Sequence, residues 1–251
     1  LTIPFVAGKR QLDLLQHQRG ESDLGLVDGQ FYLFATCEKE TPDPADVEGV
    51  LGIDLGIVNI ATTSDGETYA GNQVNNVRYR HRRLRKKLQS KQTKSAKRRL
   101  KKLSGKEARF ATYTNHVISK QIVATAQGTN RAIALEKLTG IRDRVTVRKS
   151  QRATLHSWSF FQLKRFISYK AQLAGTPLIE VDPRNTSRTC PACGCVDKHN
   201  RKSQSLFICV QCGLAGLADH FAAVEIGRRG AVNHPYISTT LATIRPTWGM
   251  A

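Results

Sequence analysis

The residues from Val50 to Val58 form an apolar run with one carboxylate, Asp54, in its middle. A continuous run of Ile, Leu and Val of this length predicts a buried central strand. An ionised aspartate inside such a strand is costly unless something replaces its lost hydration, and a bound cation is the usual replacement. The alternative is that Asp54 ends the strand and faces water, but apolar residues continue on both sides of it.

A second carboxylate stands in a similar setting. Residues 132–138 form another apolar run, and Glu136 lies near its end. Two strands that each carry one acid predict carboxylates that converge on a metal ion.

The segments after Asp54 predict a mixed α/β core. Residues 60–63 and 67–70 form two short strands separated by the turn Ser64-Asp65-Gly66. Three consecutive antiparallel strands with an acid on the first are typical of the start of an RNase H-like fold. Apolar periodicity then predicts two helices, residues 110–127 and 157–174, on either side of the Glu136 strand, and a further strand at residues 178–182. Residues 139–156 are basic and polar, and we expect a mobile loop near the acids.

Charge favours a nucleic-acid partner. The chain of 251 residues has a formal net charge of +19 and a pI of about 10.1, and such a charge indicates a polyanionic ligand. Residues 78–109 hold sixteen Lys and Arg against one acid, Glu107. Leucines three or four residues apart predict helices there with one narrow apolar face, which leaves most of the cations exposed. A phosphate backbone can neutralise these exposed charges. The candidate nucleic-acid-binding residues are Arg82, Arg83, Arg85, Lys86, Lys87, Lys97, Arg98, Arg99, Lys101 and Lys102.

A membrane partner is disfavoured. The sequence has no apolar run of about eighteen residues and no pattern typical of a signal peptide. We expect a prokaryotic cytoplasmic protein associated with nucleic acid. The chain begins with Leu1, which indicates a fragment or a processed product, and the sequence leaves the oligomeric state open.

Five of the six cysteines cluster late in the chain. Cys190 and Cys193 form one CxxC pair, Cys209 and Cys212 form another, and fifteen residues separate the pairs. This spacing predicts a tetrahedral, structural zinc site. Cys195 can compete as a ligand but fits the CxxC geometry less well, and a redox role is the weaker alternative. Nearby basic residues suggest that this insertion also contacts nucleic acid; they are Arg184, Arg188, Lys198, Arg201 and Lys202.

The start of the chain predicts a β-hairpin. Asp28-Gly29 is a tight-turn pair between residues 23–27 and 31–36, which are rich in strand-forming side chains. Residues 41–46 are a polar linker with two prolines.

Asp219 precedes an apolar periodic segment that ends near residue 230. Asp is a favoured helix N-cap, so the spacing alone supports capping and metal binding equally. We expect its neighbour, His220, to be a surface residue.

Four segments, taken in order, resemble the TnpB (transposon-encoded OrfB) family, which is similar to the type V CRISPR effector nucleases. The segments are Gly52-Ile53-Asp54-Leu55-Gly56, Leu135-Glu136-Lys137-Leu138, the run from Thr186 to Gly194, and Asp219 followed by Ala222-Ala223. The resemblance covers roughly residues 22–230.

The resemblance implies an RNA-guided DNA endonuclease with an RNase H-like (RuvC) α/β fold and a zinc-ribbon insertion. It implies that Asp54, Glu136 and Asp219 are catalytic acids that hold two Mg ions, with guide RNA and target DNA as partners. The implied domains are the end of a wedge-like β-barrel and a linker (1–45), a nuclease core (46–182) with a basic helical hairpin (78–127), a zinc ribbon (183–216), a final core helix (217–230) and a tail (231–251).

The sequence departs from the family around the third acid. The family commonly has Asp-Arg before it and Asn two residues after it, where this chain has Leu217-Ala218 and Phe221. Family members are also longer at the N-terminus. The alternatives are therefore a truncated or cleavage-deficient RNA- and DNA-binding remnant, or an unguided RuvC-type nuclease. A DDE transposase is disfavoured by the position of the zinc ribbon.

Overall fold

The computed structural model describes residues 2–27, 29–137 and 160–232. The chain forms two compact units, Leu1–Pro42 and Asp43–Ala251. The loop predicted at residues 139–156 lies outside the described residues, as do residues 233–251 of the predicted tail.

The N-terminal unit contains a short helix, α1 (Lys9–Leu15), and a two-stranded antiparallel sheet of β1 (Gln18–Val27) and β2 (Gln30–Cys37). The predicted hairpin is therefore confirmed, with Val27 paired to Gln30 and Gly29 at a φ of +82°. Asp28 lies outside the described residues. The unit's described part has no third strand, so the barrel segment remains a prediction.

The second unit is built on a five-stranded sheet in the order β5-β4-β3-β6-β7. The strands are β3 (Gly49–Asp54), β4 (Asn59–Thr63), β5 (Thr68–Ala70), β6 (Arg131–Glu136) and β7 (Leu178–Val181). β3, β4 and β5 are antiparallel, whereas β6 and β7 run parallel to β3. The predicted α/β class and the antiparallel opening are confirmed.

Helices cover both faces of this sheet. They are α2 (Asn72–Lys91), α3 (Lys94–Gly128), α4 (Phe160–Leu173) and α5 (Ala218–Val232). Side chains alternate along each strand, so Leu51 and Ile53 of β3 join the core under α3 and α4, while Ala132 and Ala134 of β6 face Ile226 of α5. No helix in the described ranges is long and apolar enough to cross a membrane.

The basic residues lie on the hairpin of α2 and α3. Gln92, in the left-handed region at a φ of +52°, and Thr93 connect the helices, and the Thr93 hydroxyl accepts the first capping bond from Ala96 N at 3.2 Å. α2 begins at Asn72, six residues before the basic run predicted from residue 78. Val74 is buried in the core and anchors this extra turn.

The cysteine insertion lies between β7 and α5. It contains β8 (Leu206–Ile208) and β9 (Ala215–Leu217), which pair antiparallel. A small apolar cluster joins it to α5: the rings of Phe207 and Phe221 meet edge to face with centroids 5.4 Å apart. α5 continues through Val232, so residues 231 and 232, predicted to belong to a tail, are helical.

α5 lies unusually close to β3. A Cβ added to Gly52 would stand 2.0 Å from Ala223 O and 2.4 Å from Gly227 N. These are backbone atoms that no rotamer change can move. The helix therefore packs directly on the strand backbone, and residue 52 must be glycine.

We predict that Gly52→Ala destabilises the protein by more than about 3 kcal/mol, because α5 must move off the sheet. Gly49→Ala in the same strand is the matched control, since its Cβ would meet only the Arg131 side chain at 3.6 Å. Urea unfolding followed by circular dichroism measures both. Equal stability of the two variants would contradict the close approach.

Candidate active site

Asp54 and Glu136 are brought together by the sheet. Each is the last residue of its strand, β3 and β6, and these strands are parallel neighbours. The register pairs Ile53 with Leu135, which puts the two acids side by side at the next position. The carboxyl ends of neighbouring parallel strands are a common location for functional groups.

Asp219 reaches the same edge from the first turn of α5. Its Oδ2 accepts a hydrogen bond from Asn59 Nδ2 at 3.0 Å, and its Oδ1 accepts one from Arg201 Nη2 at 3.2 Å. Arg201 also donates to Gln204 O at 2.9 Å. These described contacts of the carboxylate are to side chains from other parts of the fold, and none is a capping bond to its own helix.

The site has an excess of negative charge. Burial, together with the neighbouring charges of Glu136 and Asp219, raises the pKa of Asp54 to about 7, and Arg201 opposes this shift. Burial also raises the pKa of Glu136, against the hydroxyl of Thr186 and the charge of Arg229. A divalent cation would relieve both the burial cost and the mutual repulsion.

The three acids fit magnesium by their chemistry. They supply only carboxylate oxygens, the ligands that hard cations prefer. Within the described ranges, only the four paired cysteines bring three or more acidic, thiol or imidazole ligand atoms within 4.8 Å of one another. The ligand atoms of the three acids are therefore not all within 4.8 Å of one another.

The two CxxC pairs meet as predicted from their spacing. The sulfur atoms of Cys190 and Cys212 are 3.6 Å apart, and those of Cys193 and Cys209 are 3.5 Å apart. A tetrahedron with Zn–S bonds of about 2.3 Å has sulfurs about 3.8 Å apart, so the four thiols fit zinc. Gly194 and Gly213, at φ of +73° and +74°, make the tight turns after each pair.

The thiols of this cluster differ in their surroundings. Burial raises the pKa of Cys190 to about 12. Burial also acts on Cys209, but hydrogen bonds from the amides of Cys212 and Gln211 outweigh it and lower that pKa to about 6. Cys195 lies outside the four-cysteine group.

Most of the predicted nucleic-acid-binding residues are solvent-exposed. Nine of the ten are exposed on α2 and α3. Arg85 differs, because it is half-buried and bound to Glu107, which also lies 3.5 Å from His81 Nδ1. Glu107 therefore joins the two helices, and Arg85 is partly neutralised within the protein.

Sequence reasoning missed three residues that contact the acids. Asn59 and Arg201 bind Asp219, and Thr186 donates a hydrogen bond to Glu136. Arg201 was expected on the nucleic-acid surface of the insertion, and its ion pair with Asp219 instead puts it at the candidate active site. Thr186 belongs to the segment that carries the family resemblance, and no other sequence feature pointed to a role for it beside Glu136.

The structure shows the surroundings of the residues near Asp219 that differ from the family pattern. Phe221 is buried and fills the cluster with Phe207 and Cys209. Ala218, also buried, begins the helix, while Leu217 is exposed. His220 is partly buried, with Nδ1 3.5 Å from Thr63 O.

Two protein-family models match the chain. Residues 34–139 match the OrfB_IS605 model, described as a probable transposase, and residues 160–226 match the TNB domain of Cas12f1-like proteins. The first range contains Asp54, Glu136 and the basic helices, and the second contains the four cysteines and Asp219.

Curated relatives give the family. The chain is 32% identical over 204 residues to a TnpB-like protein of Methanocaldococcus jannaschii, covering 76% of this chain and 72% of that protein. It is 34% identical over 199 residues to the CRISPR-associated endodeoxyribonuclease Cas12f1 of Sulfoacidibacillus thermotolerans, covering 72% of this chain and 46% of that one. The chain belongs to the TnpB-like family, and it spans about half the length of that Cas12f1.

Solved structures agree on the fold. A cryo-EM structure of a Cas12f1–sgRNA–target DNA complex aligns with a TM-score of 0.57 at 19% identity, over 81% of this chain and 55% of that chain. A CRISPR-Cas12f ternary complex aligns with a TM-score of 0.58 over 87% of this chain and 46% of that one. The mixed α/β fold of this chain is similar to both.

We predict that Asp54→Asn stabilises the Mg-free protein, most strongly at high pH. Because burial and the charges of Glu136 and Asp219 raise the folded pKa of Asp54 from 3.8 to about 7, the contribution of Asp54 to wild-type stability is fully present below pH 3.8 and is lost as the pH rises through 7. The variant escapes this loss, which is at most about 4 kcal/mol. Thermal melts at constant zinc from pH 5 to 8 measure the difference.

Added Mg should narrow that difference by stabilising the wild type alone. Asp65→Asn is the control: a hydrogen bond from Arg131 lowers the pKa of Asp65, so this variant should gain nothing at high pH. An Asp54→Asn gain that does not change with pH would contradict a buried, repelled carboxylate.

We predict one zinc ion per chain, held without Cys195. Cys193→Ser should lose the zinc, whereas Cys195→Ser should keep it, because its sulfur lies outside the four-cysteine group. Metal analysis of purified variants and the thiolate charge-transfer band of the Co-substituted protein measure this. Loss of metal in Cys195→Ser alone would assign the site to a different set of thiols.

Proposed function

We propose that this chain is an RNA-guided DNA endonuclease of the RuvC type, with Asp54, Glu136 and Asp219 as its metal-binding acids. The observation that carries the proposal is the meeting of these acids at one sheet edge, with Asp54 at the end of central β3, Glu136 beside it and Asp219 on the helix packed behind. The strand order supports an RNase H-like fold, since three antiparallel strands are followed by two parallel ones.

In this proposal each acid has a role. Asp54 lies between the other two acids, and Asp54, Glu136 and Asp219 together would hold Mg. Mg held there would supply Lewis-acid activation of water and charge stabilisation for hydrolysis of a phosphodiester. Asn59 and Arg201 orient the Asp219 carboxylate, and Thr186 orients Glu136.

The remaining parts bind nucleic acid. The exposed cations of α2 and α3 would contact phosphates of the guide RNA or of its duplex with target DNA, with affinity that falls as salt rises. Base pairing, rather than protein contact, would read the target sequence. The four-cysteine insertion would hold structural zinc and support the target strand, with residues 1–45 as the end of a wedge-like β-domain.

A second candidate is a cleavage-deficient RNA- and DNA-binding protein. It is favoured by Phe221 and Ala218, which stand where the family commonly has polar residues and which here fill an apolar cluster. Retention of all three acids favours the nuclease.

We predict that the purified chain, with its co-purified RNA, cleaves DNA only with Mg and that Asp54→Ala lowers cleavage by more than about 100-fold. Asp65→Asn, which removes a carboxylate outside the site, should cleave like the wild type. The assay uses single-stranded DNA, before and after the RNA is digested away.

The outcomes separate the candidates. Loss of cleavage on RNA digestion supports guidance, whereas cleavage that survives digestion indicates an unguided nuclease. RNA binding without any cleavage by the wild type supports the binding protein. Full activity of Asp54→Ala would place the chemistry elsewhere.

A further inference from the structure

A fourth carboxylate, Glu225, is buried in α5 outside the three-acid site. Its side chain is 1% exposed and is bound by two arginines of the same helix. Arg228 Nε lies 2.9 Å from Oε2, and Arg229 Nε lies 2.8 Å from Oε1. A buried carboxylate needs such partners, because an unpaired charge there is strongly destabilising. The pair of arginines therefore meets a structural need, yet the two are not equivalent.

Arg229 also binds the chain that follows β7. Its Nη1 donates to Asp182 O at 2.9 Å and to Arg184 O at 2.7 Å, and its Nη2 lies 3.5 Å from Thr189 Oγ1. One guanidinium thus contacts both ends of the turn formed by residues 183–189. A planar guanidinium can make these bonds and the bond to Glu225 together, which an ammonium cannot.

This turn carries the hydroxyl that binds Glu136. Thr186 is buried, and its Oγ1 donates to Glu136 Oε1 while lying 3.1 Å from Pro183 O. Backbone bonds from Arg188 N and Thr189 N to Asn185 O, at 2.9 and 3.0 Å, close the turn. A continuous series of described contacts therefore connects Glu225, through Arg229 and the 183–189 turn, to Glu136.

We propose that Arg229 is a positioning residue for Glu136: it fixes the 183–189 turn so that Thr186 holds the Glu136 carboxylate in the orientation that binds a divalent cation. The proposal rests on the proposed function, since it assigns a metal to Glu136. The alternative is that Arg229 only stabilises α5 through its ion pair with Glu225. Its removal would then lower stability and leave metal affinity unchanged.

The expected effect is on metal affinity. Groups that orient a metal-binding side chain typically change affinity by about 10- to 100-fold when removed. Arg229→Gln and Thr186→Val should weaken the divalent site by this factor. Thr186→Ser keeps the hydroxyl and should restore affinity close to that of the wild type. Excess metal should recover much of the cleavage by the weakened variants.

Arg228→Gln is the matched control. It also leaves Glu225 with a single arginine, but Arg228 is 56% exposed and its described hydrogen bonds go only to Glu225. It should bind metal like the wild type. The comparison separates loss of the buried ion pair from loss of the turn contact.

The experiment measures Mn binding to the zinc-loaded chain with its co-purified RNA, by the loss of the free-Mn signal in electron paramagnetic resonance. Cleavage is then measured against Mg concentration. Zinc content and a thermal melt establish that each variant is folded. If Arg229→Gln does not fold, the Thr186→Val and Thr186→Ser pair decides whether the hydroxyl sets affinity.

The proposal is supported if Arg229→Gln and Thr186→Val weaken Mn binding while Arg228→Gln and Thr186→Ser do not. It is overturned if Arg229→Gln or Thr186→Val, folded, binds Mn like the wild type, or if Arg228→Gln weakens binding as much as Arg229→Gln. Wild-type and Asp54→Ala proteins that bind Mn equally would overturn the acid site itself, and with it this proposal.

Discussion

The candidate site depends on the contact between the backbone of β3 and the backbone of α5. Because Gly52 has no side chain, Ala223 and Gly227 can lie directly on the strand. The same close packing continues on the neighbouring strand β6, where Gly230 of α5 lies against Ala134. This close approach sets the depth of the whole helix, and so it decides how far its first turn, with Asp219, reaches over the carboxyl ends of β3 and β6.

The second constraint is the negative charge of the clustered acids. The positively charged side chains that oppose it come from outside the sheet. The acids are buried enough to raise the pKa of Asp54 and Glu136. Arg201 opposes this from the cysteine insertion, and Arg229 opposes it from α5. The site is therefore assembled by tertiary structure: the sheet supplies two acids, and the segments that follow it supply the third acid and the positive charge.

The sequence predicted the parts of the fold that depend on local pattern. The apolar run around Asp54 predicted a central strand, although β3 ends at Asp54 instead of continuing through it to Val58. The CxxC spacing predicted the meeting of four thiols that the structure shows. Patterns did not reveal Asn59 or Thr186, because their roles depend on which segments meet in space. The first turn of α2 was missed for a related reason: it is polar apart from Val74, and contact with the core stabilises it.

The cysteine insertion forms a separate small fold, yet it is not an independent module. Phe207 packs against α5, Arg201 binds Asp219, and Thr186 on the entering turn binds Glu136. A chimera that received this insertion from a relative would therefore inherit part of its candidate active site from the donor. Exchange of the insertion among homologues should follow the compatibility of these three contacts rather than the spacing of the cysteines.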